Sequence, residues 1–197
     1  PGENLGSFKN NLEQMMRLFP RPVIYIYNCG VFPNAPMNEP VYRKVHDIKT
    51  IRSPIYLMHS TRVETKIPEF EDVVISTATM SSEELHESFL YAWLTQSFHS
   101  FGVLEYISKF YHEQYDMDYI DFYSYLVEYC EKHDGSIFSK EYKSVKEYIR
   151  NGYSGGGWEH YDSNLGDICW PFEEATFLRC VWDSNELEKD IFKFVEW

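Results

Sequence analysis

The chain has 197 residues, with 18 Lys and Arg against 31 Asp and Glu and a formal net charge of −13. This length suits one domain, or a small domain with an appendage. The acidic balance opposes nucleic acid and anionic membrane surfaces as partners, since both need basic patches, and no run is apolar enough to cross a bilayer. Cys29, Cys130, Cys169 and Cys180 form no CxxC pair. They read as reduced thiols of a cytoplasmic protein rather than as a disulfide framework.

The periodicity predicts an α+β chain, predominantly α-helical, with a small sheet contribution. Ser7 is expected to cap a first helix with Phe8, Leu12, Met15, Met16 and Phe19 on one face. Pro20-Arg21-Pro22 stops it. Val23–Cys29, rich in β-branched and aromatic residues, predicts a buried strand, and helix followed by strand is half of an α/β unit. FPNAPMNEP predicts irregular structure, with short extended pieces between Ile48 and His59. VVISTAT, ending at Thr79, predicts a second strand.

The dominant stretch is Ser81–Tyr115. Leu85, Phe89 and Trp93 lie on one line, with Leu90, Leu94, Phe98, Phe101 and Leu104 beside it. This recurrence predicts a central core helix, opened by a capping box of Ser81 and Glu84 and weakened at Gly102. Asp118–His133 and Ser139–Arg150 predict two further helices, the first capped by Asp118. NGYSGGGW predicts a flexible loop. Pro171 sits in the first turn of a helix running to about Val181, and Ser184 caps a last amphipathic helix. The chain opens on Pro1, not Met, and PGEN reads as a loop interior, so a fragment with an upstream part is expected.

An ordered series of motifs resembles one family. PGENLGSFKNNL is similar to the PGET-led stretch after the fifth barrel strand of radical S-adenosylmethionine enzymes. YIYNCGVFPNAPM resembles the sixth strand and its exit in the cobalamin-binding type. PVYRKVHDIKT, STATMSSEEL, WLTQSFHSFGVLEYI and WPFEEATFLRC resemble further segments of that type in the same order, and Asn4 stands where the family carries threonine. The likeness covers nearly the whole chain. It implies that residues 1–40 are the last helix–strand unit of the barrel, 41–80 an irregular linker with one strand, and 81–197 a helical C-terminal domain on the substrate side. It further implies that the parent protein uses S-adenosylmethionine, a [4Fe–4S] cluster and, as the cobalamin-binding type does, cobalamin. The cluster motif CxxxCxxC is absent here, so the chain by itself is expected to hold no cofactor and to be inactive. Its expected partners are the upstream barrel domain and a small-molecule substrate that the sequence does not identify. The alternative is a free-standing helical module that binds protein through exposed aromatic residues and has no enzymatic activity.

Through the resemblance, Gly2, Glu3 and Asn28 align with segments that approach S-adenosylmethionine. A turn glycine, a solvated glutamate and a strand-end asparagine explain the same residues without a ligand. Gln96, His99 and Ser100 interrupt the apolar face of the central helix and share one side. Gln96 and His99 are therefore substrate-side candidates, against a core histidine satisfied by a hydrogen bond. His59 and Arg62 are candidates for an anionic substrate group, against a loop-anchoring salt bridge. The seven histidines lack ligand spacing, and no metal site is predicted. An extended strand cut from its sheet exposes ladder groups, so self-association through the first α/β segment is expected.

Overall fold

The computed structural model describes residues 2–18, 23–61 and 67–197. Pro1, Phe19, the Pro20-Arg21-Pro22 stop and Arg62 lie outside the described residues.

Helix α1 (Leu5–Leu18) opens on a reciprocal cap. Asn4 Oδ1 accepts the Ser7 N–H at 2.9 Å, and the Ser7 hydroxyl accepts the Asn4 N–H at 3.0 Å. The cap is therefore Asn4 and not Ser7, which fills the third helical position and reaches back. Leu12 and Met16 enter the core, while Met15 stays exposed.

The strand expected at Val23–Cys29 is not one. The segment is extended and alternates between exposed and half-buried residues, yet no strand pairs with it among the described residues. The Ile24 N–H donates to Ser100 Oγ at 3.2 Å and the Ile26 N–H to Gln96 Oε1 at 2.9 Å. Side chains of the central helix thus satisfy the groups that a neighbouring strand satisfies in a ladder.

The sheet follows directly. Strands β1 (Gly30–Val31), β2 (Lys49–Pro54) and β3 (Phe70–Ser76) pair antiparallel in the order β1-β3-β2, and both outer strands register on Val73, which is fully buried. A short helix α2 (Pro40–Val45) leads into β2. The second strand starts earlier than VVISTAT indicates, because Phe70, Glu71 and Asp72 pair with Pro54, Ser53 and Arg52. Acidic residues are poor strand formers, but cross-strand contacts override that bias, here with the Arg52 guanidinium 4.4 Å over the Phe70 ring. Among the described residues the sheet contains no parallel pair.

Ser81 and Glu84 form the expected capping box on α3 (Ser82–Leu94). The break in the central stretch comes before Gly102: Thr95–Ser100 form a π-helical turn, and α4 (Glu105–Tyr115) starts after it. Helix α5 (Tyr119–Lys132) has Asp118 at its cap position, but the Asp118 carboxylate pairs with Arg17. Glu13 of α1 accepts the Ile120 N–H instead, at 2.9 Å. Helix α6 (Ile137–Asn151) runs into a kinked turn, Gly152–Gly156, in which Gly155 is non-helical with φ +84°, and the glycine run is packed rather than loose. A Cβ on Gly152 would lie 2.5 Å from the Trp158 ring, and one on Gly157 2.5 Å from Tyr56. Helix α7 (Phe172–Trp182) has Pro171 at its cap position, one residue before its first turn. Asp183, not Ser184, caps α8 (Ser184–Glu196), accepting the Asn185 and Glu186 N–H groups.

Trp93, Phe98, Tyr123, Phe138 and Phe172 fill the centre of this predominantly helical core. A buried polar chain crosses it. Trp93 Nε1 donates to Thr176 Oγ1 at 3.0 Å, Thr176 donates to Glu141 at 3.1 Å, and Arg179 grips the same carboxylate at 2.7 and 2.6 Å. These bonds hold α7 against α3 and α6, because breaking a buried pair by removing one partner costs about 3–5 kcal/mol. Among the described residues, no helix is long and apolar enough to cross a membrane.

Candidate functional site

A cleft of about 150 Å³ lies where the extended segment meets the central helix. Glu3 enters it from the turn before α1, Asn28 from the end of the extended segment, and Gln96 from the π-helical turn. Its apolar wall includes Phe8, Ile26, Phe89 and Trp93. Three residues from three separate sequence motifs thus converge on one cavity.

Each is held by a specific contact. Glu3 Oε1 accepts from Asn11 Nδ2 at 2.9 Å, and the Glu3 carbonyl accepts from the Thr79 hydroxyl at 2.7 Å, which ties the turn to the end of the sheet. The Tyr153 hydroxyl donates to Asn28 Oδ1 at 3.4 Å. Gln96 Oε1 is occupied by the Ile26 N–H. A π-helical turn adds one residue to the ordinary helical spacing and so re-aims the side chains beyond it. Here it turns Gln96 and Ser100 toward the extended segment. Gly2 stands beside Glu3 with φ +111°, a conformation that favours glycine, but it does not line the cleft.

His99 lies elsewhere, fully buried in the helical core. Its Nδ1 is 3.1 Å from the Tyr123 hydroxyl and 3.4 Å from Ser108 Oγ, and the Tyr119 ring meets it edge-on at 5.1 Å. Burial drives its pKa down to about 4; the nearby Glu105 opposes that shift and Lys109 adds to it. His59 is exposed, with Nε2 2.7 Å from Glu174 Oε2 and its ring edge-on to Trp170. That hydrogen bond anchors the loop to α7.

Sequence reasoning passed over two cleft residues. Tyr153 sits inside the glycine run that reads as a loop, where its ring stacks on His86 at 4.8 Å. Glu173, in the first turn of α7, also lines the cleft. Burial raises its carboxyl pKa, the Glu174 charge adds to this, and its own backbone N–H and the His59 charge oppose it. The position of Glu173 inside WPFEEATFLRC was the available signal.

Among the described residues no set of side chains has the arrangement that would hold an iron–sulfur cluster or a metal ion. Cys29 is exposed at the cleft, while Cys130, Cys169 and Cys180 are buried on other elements. Among the described residues no three His, Cys, Asp or Glu side chains stand together as ligands. S-adenosylmethionine fits only in part. The amides, carboxyls and aromatic wall suit a polar nucleoside, but pockets that enclose drug-sized ligands span roughly 300–1,000 Å³, so this cleft supplies one side of such a site.

No family model matches the chain. Over 153 residues it is 26% identical to a 2-(S-pantetheinyl)-carbapenam-3-carboxylate methyltransferase of Streptantibioticus cattleyicolor, a match covering 76% of this chain and 22% of that protein. Over 129 residues it is 25% identical to the cobalamin-dependent radical SAM methyltransferase TokK of Streptomyces tokunonensis, covering 66% of this chain and 19% of that one. The chain thus spans about a fifth of the length of the curated relatives it matches; both of these distant relatives are methyltransferases, the second a cobalamin-dependent radical SAM enzyme.

Proposed function

We propose that this chain is the C-terminal, substrate-side part of a cytoplasmic cobalamin-type radical S-adenosylmethionine methyltransferase. Residues 1–40 complete the barrel, 41–80 link, and 81–197 cover its open side. The observation that carries this reading is the meeting of Glu3, Asn28 and Gln96 in one cleft. These residues come from motifs that resemble the family independently of one another. The two distant methyltransferases favour methyl transfer over rearrangement. In this reading the cluster and cobalamin are held by the upstream barrel domain, and this chain supplies the wall that positions S-adenosylmethionine and the small-molecule substrate. A cofactor of this kind carries the one-electron chemistry, while the protein binds and orients.

A second reading, a helical module that binds protein, draws on one observation. Val23, Tyr25 and Tyr27 are exposed, and the two tyrosine rings stack with centroids 6.5 Å apart. In the first reading the barrel covers this face; in the second, another protein does.

The test is the complete gene product, reconstituted anaerobically with iron, sulfide and cobalamin. Reductant-dependent consumption of S-adenosylmethionine is the expected result. Asn28→Ala and Gln96→Ala should each lower it by about tenfold or more with unchanged cluster absorbance, as expected for loss of a ligand-positioning contact. A gene product without cluster-binding cysteines, or full activity in both variants, sinks the reading.

A further inference from the structure

A second cavity, of about 400 Å³, lies between α3, α5 and α6. Leu90, Val127 and Ile149, one from each helix, form its apolar wall. Its size falls within the range of pockets that enclose small organic ligands, about 300–1,000 Å³. His86, at one side, stacks on Tyr153 at 4.8 Å, and Tyr153 lines the cleft of Glu3, Asn28 and Gln96, so the two spaces share a wall.

The charges on this cavity run against those of the chain, which has 31 acidic residues and 18 basic ones. On α6, Lys140 pairs with Glu186 and Lys143 with Asp134. Lys146 and Arg150, the next two cations of that helix, line the cavity and pair with no carboxylate among the described residues. They stand four apart on one face, where like charges repel and destabilise. The two carboxylates of the cavity do not relieve them. Glu87 is held by Lys9 at 2.6 Å, and Glu131 accepts from the Tyr142 hydroxyl at 2.6 Å. The Lys146 ammonium reaches that same hydroxyl at 3.4 Å and lies 5.0 Å from the Tyr142 ring centre. The Arg150 guanidinium makes no hydrogen bond among the described residues. An apolar wall beside two unrelieved cations is complementary to an amphipathic anion. The wall takes a hydrocarbon body, and the ammonium and guanidinium take charged oxygens, the guanidinium with its planar fork.

We propose that this cavity binds an organic anion, with its carboxylate or phosphate on Lys146 and Arg150 and its hydrocarbon body against Leu90, Val127 and Ile149. The site is separate from the cleft and does not rest on the methyltransferase reading.

Ligand-detected NMR titration of the complete gene product tests this. The probes are 3-phenylpropionate, phenyl phosphate and the uncharged 3-phenylpropan-1-ol, which share an aromatic body. At least one anion is expected to bind about tenfold or more tighter than the alcohol, the size of a hydrogen bond to a charged group. The tighter anion assigns the headgroup as carboxylate or phosphate. Lys146→Gln with Arg150→Gln should bring that anion down to the affinity of the alcohol and leave the alcohol unchanged. Lys143→Gln removes a positive charge of the same helix outside the cavity and should retain the preference. Lys146 and Arg150 are exposed, so the double variant should melt with the parent. If it melts early, methyl NMR of the parent decides: the anion must shift the Leu90, Val127 and Ile149 methyl resonances. Equal affinity for anions and alcohol, or binding of no probe, overturns the inference. So does a preference that survives the double variant or falls equally in Lys143→Gln, and so does a bound anion that leaves those methyl groups unshifted. None of these outcomes bears on the cleft.

Discussion

His99 shows what one residue costs when the fold withholds water from it. It is fully buried, with one ring nitrogen near Tyr123 and Ser108 and the other unpartnered. Its pKa is about 4 in the folded protein against 6.5 when solvated. Between these values the unfolded chain binds the proton and the folded chain does not. Stability is therefore intact above pH 6.5 and lost as pH falls toward 4. At about 1.4 kcal/mol per pH unit, His99 accounts for a loss of roughly 2 kcal/mol between pH 7 and pH 5. His160, also held near 4 by burial and by Arg179, acts in the same direction. We predict that His99→Leu loses about 2 kcal/mol less than the parent over that interval, measured by urea unfolding at both pH values. An unchanged difference means that His99 is hydrated. The helical pattern around His99 indicated burial from the sequence, but its neighbours Tyr123 and Ser108 come from other helices and only the fold supplies them.

At the scale of the element, the glycine run is the instructive case. NGYSGGGW has the composition of a flexible linker, and composition carries no information about what approaches a backbone. In the fold it is a kinked turn against β2 that aims Tyr153 at Asn28. A methyl group at Gly152 meets a Trp158 ring that is buried and stacked on Phe89 at 4.9 Å, so the ring has nowhere to go. Overpacking costs typically about 1–3 kcal/mol, while alanine in a helix returns about 1 kcal/mol over glycine. The clash prevails. Gly152→Ala is expected to lower the melting temperature, as calorimetry can show, whereas Gly135→Ala meets no nearby atom and pays only for its positive φ. Equal melting for Gly152→Ala and the parent contradicts the packing account. The extended segment teaches the converse. Its alternation and β-branched residues were legible as strand-forming, yet a strand exists only where a partner supplies hydrogen bonds, and Gln96 and Ser100 take that place.

For the whole molecule, the exposed edge matters most. Val23, Tyr25 and Tyr27 present apolar surface, Tyr27 at 81% exposure, beside an extended backbone that no strand covers among the described residues. Uncovered edges of this kind pair with other chains. We predict that the isolated chain associates at micromolar concentration, and that Tyr25→Lys with Tyr27→Lys shifts it toward monomer. Light scattering across a wide concentration range measures this; a clean monomer in the parent counts against it.

The sequence by itself determined the helical periods, the Ser81–Glu84 capping box and the predominance of helix, because these depend on residues within a few positions of one another. It also marked Glu3, Asn28 and Gln96 as worth locating. Only the tertiary structure decided that they share a cleft, that Glu13 rather than Asp118 caps α5, that the sheet is antiparallel, and that Glu173 lines the same cleft. Each of those facts depends on contacts between residues far apart in the chain, where local pattern has no reach and packing sets the outcome.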